Sequence, residues 1–154
     1  MIVERKRWVK VFVKEAKMHL ISAYASMSFA DAVTAAKEAL KRENFTIFAE
    51  IDMQDVLKRR LSVDLRPYLV LSACNLPLLH RAIRADDAIG STLLCEMVVQ
   101  EHSDSCVEVS VVDPACTIGT INHVEMISIA QELQSLVRKV MDDIESAPKF
   151  HRAA

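Results

Sequence analysis

The sequence predicts an α+β domain, with an antiparallel sheet of about five strands and two long helices packed on one face. Two segments, 29–40 and 126–144, carry apolar residues at helical spacing. Five other segments have the length and composition of strands, and short links join nearly all predicted neighbours. Short links favour antiparallel pairs, and helices on one face of such a sheet are the economical arrangement. The predicted order is β-α-β-α-β-α-β-β-α.

Composition and charge restrict the class of protein. The 154 residues suit one domain, and 51% apolar content with only two glycines excludes a disordered or fibrous chain. The net charge of −2 argues against a general nucleic-acid binder. No apolar run approaches the ~20 residues that a membrane span needs, and the N-terminus lacks a signal-peptide pattern, so we expect a cytoplasmic protein. The four cysteines show no Cys-x-x-Cys spacing, which predicts free thiols and no metal site.

The first half of the predicted domain begins with a strand at 19–27. Ser28 and Asp31 then resemble a capping box, which starts the first long helix. Asn44 is the predicted stop of this helix. Residues 45–52 alternate apolar and polar side chains and form the second predicted strand.

The centre of the chain is predicted to run from a short helix at 54–61 into a buried strand at 69–73. Pro77 suits the first turn of the next helix, because its missing N–H would be unpaired there. A residue before proline avoids helical backbone angles, so Leu76 is the predicted N-cap. Cys74 therefore lies just outside a predicted helix N-terminus.

The last part is predicted to hold an antiparallel hairpin, 92–101 with 106–112, and then a long helix. Asn122 followed by Glu125 is the N-terminal signature of this helix. Pro148 cannot continue the helix and therefore marks its end. Between the hairpin and this helix we predict a loop.

The predicted domain occupies residues 18–146. Residues 1–17 carry six basic side chains interleaved with valines, which permits a basic leader or an extra strand. A membrane-surface or partner-binding arm is the functional alternative for this segment. Residues 147–154 are a predicted tail.

Several short motifs occur in an order that is similar to one family. In chain order they are Glu50-Ile51-Asp52-Met53, Leu57-Lys58, Asp64-Leu65-Arg66-Pro67-Tyr68, Ala73-Cys74-Asn75 with Pro77, Ile89-Gly90, Leu94-Cys95 with Val98-Val99, and Val112-Asp113-Pro114. Together they resemble the domain of unknown function 302 family over roughly residues 18–144. The resemblance implies a TATA-binding-protein-like α+β fold.

Cys74 is the main candidate for chemistry. The N–H groups and dipole at a helix N-terminus favour a thiolate, and Arg81 or Arg84 would add positive charge. His80, on the same helix, would orient or deprotonate this thiol, so Cys74 and His80 are the candidate catalytic residues. The alternative is that Cys74 is a small apolar residue packed at the end of a strand.

The remaining cysteines and one carboxylate pair have weaker signals. Cys95 shares a strand face with apolar residues, which favours packing, although proximity to Cys74 would create a redox or metal-binding pair. Cys106 is predicted to face the polar side and Cys116 to lie in a loop.

The paired carboxylates at positions 50 and 52 suit metal binding or acid–base work, a solvated edge, or an ion pair with the arginine at position 66.

Two functions follow as hypotheses. The first, and favoured, is a non-enzymatic, homodimeric module that binds a small ligand or a cofactor of unidentified type between sheet and helices. The second is a thiol-based redox protein that uses Cys74. The predicted ligand-binding residues are Cys74, Asn75, His80, Arg66, Tyr68 and Cys95.

Overall fold

A computed structural model describes residues 19–103 and 106–148. Its five strands are β1 (Leu20–Ala25), β2 (Phe45–Asp52), β3 (Tyr68–Asn75), β4 (Cys95–Ser103) and β5 (Cys106–Val112). Its helices are α1 (Phe29–Arg42), α2 (Met53–Leu61), α3 (Leu76–Ala85), α4 (Pro114–Thr117) and α5 (Val124–Glu145), with 3-10 turns at Asp87–Leu93 and Ile118–Thr120. The predicted α+β class and order of the main elements are confirmed. The predicted leader, 1–17, and residues 149–154 of the tail lie outside the described residues.

The five strands form one sheet in the order β1-β5-β4-β3-β2, and every neighbouring pair is antiparallel. The pairing of β1 with β5 places Leu20 opposite Val112. The N-terminal end of the first strand therefore lies beside the C-terminal end of the last strand. Nearer the β2 edge of the sheet, Ala73 of β3 lies opposite Cys95 of β4.

The core lies between one face of the sheet and the two long helices. Strand positions on this face are buried, among them Leu71, Met97 and Val109. Helix α1 contributes alanines such as Ala36, whose small side chains allow close approach to the sheet. Helix α5 buries one apolar stripe, made of Met126, Ile129, Ala130, Leu133, Val137, Val140, Met141 and Ile144.

Local signals correctly predicted both ends of α1. Ser28 is the N-cap, and its Oγ accepts a hydrogen bond from the Asp31 N–H at 3.1 Å. Asn44, just after the helix, has a φ of 61°, a left-handed conformation that asparagine tolerates better than most residues. This conformation reverses the chain into β2.

Two predicted N-caps are wrong. The N-cap of α3 is Asn75 rather than Leu76, because the Asn75 side chain can accept a hydrogen bond from the Leu78 N–H and a leucine side chain cannot. The N-cap of α5 is His123, with no side-chain capping bond, rather than Asn122. Helix α5 is fixed instead by its long apolar stripe, which does not depend on a cap.

The connections around the hairpin also differ from the prediction. Strand β4 begins at Cys95 rather than at residue 92, because Asp87–Leu93 forms a 3-10 turn. The predicted loop after β5 contains α4, which Asp113 caps by accepting from the Ala115 N–H at 2.9 Å. In the described part of the chain, no helix has the length and apolarity that crossing a bilayer requires.

Candidate functional site

A cavity of about 330 Å³ lies where β4 begins and β5 ends, under α4 and α5. Its volume falls within the range of ~300–1,000 Å³ that is typical of small-molecule sites. The cavity is lined by Thr92, Leu94, Cys95, Glu96, Val111, Val112, Pro114, Thr117, Ile118 and Leu133. It is therefore a space between the sheet and the helices, although sequence reasoning placed only Cys95 of these residues in the ligand site.

The cavity wall is mainly apolar, and the one thiol in its lining, that of Cys95, is neutral. Cys95 is 6% exposed, and burial, followed by the proximity of Cys74 and Glu96, raises the pKa of its thiol to about 12. At neutral pH this side chain is a small, protonated, apolar group. The carboxylate of Glu96, which accepts a hydrogen bond from Ser72 Oγ at 2.8 Å, is the one formal charge in the lining.

Cys74 lies at the end of β3 and is fully buried, at 0% exposure. Burial raises the pKa of this thiol, which is the opposite of what an activated nucleophile requires. Its Sγ lies 3.8 Å from the Asn75 carbonyl oxygen. Arg81, one of the two arginines expected to assist it, instead forms ion pairs with Glu125 and Glu132 of α5. The geometry therefore favours packing for Cys74.

Asn75 joins two helices. Its Oδ1 accepts from the Leu78 N–H at 3.2 Å, and its Nδ2 donates to the Glu43 carbonyl oxygen at 3.1 Å. One amide therefore caps the start of α3 and satisfies a carbonyl at the end of α1. The residue is 5% exposed, so the bond to Leu78 is shielded from water and the bond to Glu43 is partly shielded.

The structure does not bring the predicted ligand-binding residues together. His80 is exposed on α3. Arg66 and Tyr68 lie at the opposite end of β3 from Cys74, roughly 20 Å away at ~3.4 Å per residue. The Arg66 Nη2 donates to Gln100 Oε1 at 2.6 Å, and Tyr68 pairs with the same glutamine across the strands. These two residues fasten the start of β3 to β4.

The predicted carboxylate pair on β2 is divided between two structural roles. The Glu50 carboxylate lies 2.6 Å from Lys37 Nζ, which links β2 to α1. The Asp52 side chain accepts from the Asp55 N–H at 3.1 Å and caps α2. The alternative of an ion pair with Arg66 is wrong, because that guanidinium binds a β4 side chain. Within residues 19–103 and 106–148, no three His, Cys, Asp or Glu side chains are grouped to hold a metal ion.

Comparison with known proteins settles the family. The sequence model of the family described as "Domain of unknown function DUF302" matches residues 21–144. The chain belongs to the DUF302 family. Among solved structures it is similar to the crystal structure of uncharacterized conserved protein DUF302 from Bacillus stearothermophilus, with a TM-score of 0.75 and 20% identity over 82% of this chain and 98% of that chain. This likeness shows the fold. No curated protein matches the chain.

Sequence reasoning missed a histidine–cysteine contact in this DUF302 domain. His19 Nδ1 lies 3.1 Å from Cys116 Sγ, and both side chains are exposed. The two residues are 97 positions apart, and the pairing of β1 with β5 brings them together. The sequence showed only that His19 begins one predicted strand and that Cys116 lies in the predicted loop after another.

A polar cluster on the sheet face opposite α1 and α5 was also missed. Glu108 of β5 accepts a hydrogen bond from Ser22 Oγ at 3.3 Å and contacts His102 Nε2. Its negative charge is the main reason that the pKa of Tyr24, its cross-strand partner, is raised. The cluster gives this face hydrogen-bonding groups beside exposed apolar side chains.

Proposed function

We propose that this DUF302 domain binds a small, mainly apolar molecule in the cavity between β4, β5, α4 and α5. The observation that carries the proposal is this partly open cavity of about 330 Å³, whose wall is more apolar than the walls of three larger clefts in the described chain. Such a space equals roughly ten water molecules at ~30 Å³ each. Its inner wall is made of Cys95, Val111, Ile118 and Leu133, so water gains few hydrogen bonds there. An apolar ligand would add dispersion contacts with this wall.

The lining also favours one polar end on the ligand. Glu96 provides an acceptor, and Thr92 lies nearby with its hydroxyl donating to the Ile89 carbonyl oxygen at 2.7 Å. A neutral or cationic hydrogen-bond donor therefore suits this side of the cavity, whereas an anion would be repelled by the carboxylate. The neutral thiol of Cys95 accommodates the apolar part.

N-phenyl-1-naphthylamine, a neutral probe with one N–H that fluoresces in apolar sites, tests this proposal. We expect saturable binding of one probe per chain, and Leu94→Trp is expected to weaken it about tenfold, which corresponds to ~1.4 kcal/mol. Leu94 is 42% exposed at the cavity wall, so the larger indole would reduce the space without entering the core. The measurement is a fluorescence titration.

Leu76→Trp is the matched control, because Leu76 is 44% exposed and does not line the cavity. This variant is expected to bind the probe as the unmodified chain does. Absence of saturable binding, or equal weakening by both substitutions, would contradict the proposal.

We further infer that the domain forms a homodimer through the sheet face opposite α1 and α5. Exposed apolar side chains lie on this face at both edges of the sheet, with Tyr24 on β1 and Ile51 on β2. Apolar side chains that are exposed on one face and accompanied by polar groups support an interaction site there. The polar cluster around Glu108 supplies hydrogen-bonding groups between them, and a second copy presents the same mixed surface about a two-fold axis.

Sedimentation equilibrium at micromolar concentration tests self-association. We expect a dimer for the unmodified chain and a monomer for the double variant Tyr24→Lys/Ile51→Lys, because two buried ammonium groups would face an apolar surface. Val124→Lys is the control, since Val124 is highly exposed at the start of α5 and away from this face. A monomeric unmodified chain would contradict the inference.

A further inference from the structure

The contact between His19 and Cys116 is held in place by the sheet. The Asp113 N–H donates to the His19 carbonyl oxygen at 2.7 Å, which extends the β1–β5 pairing by one step beyond Leu20 and Val112. The imidazole of His19 therefore starts from a fixed backbone position. From there its Nδ1 reaches Cys116 Sγ at 3.1 Å.

The turn that carries Cys116 is anchored separately to α5. The Cys116 N–H donates to the Asp113 carbonyl oxygen at 2.9 Å. The Asp113 carboxylate caps α4 by accepting from the Ala115 N–H, and Gln134 Nε2 of α5 donates to both its oxygens at 2.9 Å. Sulfur and imidazole are thus presented to each other by two elements that are both fixed to the core.

Accessibility separates Cys116 from the other thiols of the chain. All four cysteines lie within the described ranges; Cys74 and Cys95 are buried, Cys106 is half-buried, and only Cys116 is exposed. An exposed thiol beside a base is the arrangement that thiol reactivity requires. Cys74, which the sequence favoured, is exposed to neither water nor reagent.

We propose that Cys116 is a modification site that reacts with low-molecular-weight disulfides, with His19 as the base that accepts its proton. The proton of Sγ passes to Nδ1 of the neutral imidazole, whose own proton is on Nε2. The thiolate then attacks one sulfur of the disulfide, so that a new S–S bond forms as the old one breaks. Cys116 is oxidised to a mixed disulfide, and the departing half is reduced and takes up a proton as a free thiol. This proposal is independent of the cavity.

The test is the reaction of the full chain with 2,2′-dithiodipyridine at pH 7, followed by absorbance, with mass spectrometry to locate the label. Cys116 is expected to react first, and Cys116→Ser is expected to abolish the fast phase. His19→Ala is expected to slow the Cys116 reaction by up to about tenfold, because loss of the imidazole lowers the fraction of Cys116 that is present as thiolate. His80→Ala, which removes another exposed histidine, is the matched control and should leave the rate unchanged.

The pH dependence of the rate separates an effect on the thiolate from a structural effect. Raising the pH is expected to bring the rate of His19→Ala towards that of the unmodified chain, because the thiol then ionises without help, and His19→Gln should behave like His19→Ala because an amide is not a base. The denaturation midpoint of each variant provides the check on folding. Equal rates for the unmodified chain and both His19 variants, or preferential labelling of Cys106, would overturn the proposal.

Discussion

Native Cys95 is expected to react with iodoacetamide at pH 8 about a thousandfold more slowly than the same residue in the unfolded chain. The thiolate is the reactive form, and burial raises its pKa from an ordinary value of 9.0 to about 12. At pH 8 the thiolate fraction therefore falls from about one in ten to about one in ten thousand. Cys74, which is fully buried with a raised pKa, should be protected in the same direction.

Differential labelling with and without guanidinium, read by mass spectrometry, measures this protection, and exposed Cys116 is the internal positive control. Labelling of native Cys95 within tenfold of the unfolded rate would show that the core around it is open.

The raised pKa of Cys95 also affects stability, because the folded chain retains the thiol proton to higher pH than the unfolded chain does. The free energy of unfolding should accordingly decrease as the pH rises from about 9 to about 12.

Asn75→Ala is expected to lower the free energy of unfolding by about 2–3 kcal/mol. Loss of the N-cap accounts for ~1 kcal/mol, and the Glu43 carbonyl oxygen, left without its donor, accounts for ~1–2 kcal/mol more. Urea denaturation gives the value. Ser28→Ala is the matched control, because Ser28 caps α1 at an exposed position through one bond only. A loss no larger than that of Ser28→Ala would mean that the second bond of Asn75 adds nothing.

Elements with local causes were predictable from sequence. The cap at Ser28 and the left-handed Asn44 each depend on a few neighbouring residues, and each is confirmed. The alternation of residues 45–52 correctly predicted a strand, but a bulge between Ile47 and Ala49 places Ile51 on the face opposite Ile47. The start of α3 was displaced by one residue, because the rule for residues before proline concerns backbone angles and does not weigh the capping bond of Asn75. Family recognition was also predictable, since it rests on ordered motifs rather than on contacts.

Sites that depend on tertiary pairing were not predictable. A cysteine at the end of a strand, such as Cys74, is exposed or buried according to what packs over it, and periodicity does not reveal that covering. Arg66 and Cys74 are close in sequence yet lie near opposite ends of β3, because an extended strand separates them. His19 and Cys116 are far apart in sequence yet in contact, and only the strand order shows this. The sequence shows which side chains can carry chemistry, but it does not show which of them lie close together in the fold.

The strand order has a consequence for the folding pathway. Strands β2, β3, β4 and β5 are each adjacent to the next in the chain, whereas β1 must close a loop of more than eighty residues to reach β5. Closure entropy grows with loop length, and contacts between distant residues slow folding. The meander from β2 to β5 can therefore assemble first on a nascent chain, with β1 docking as the closing edge after residue 112 has left the ribosome.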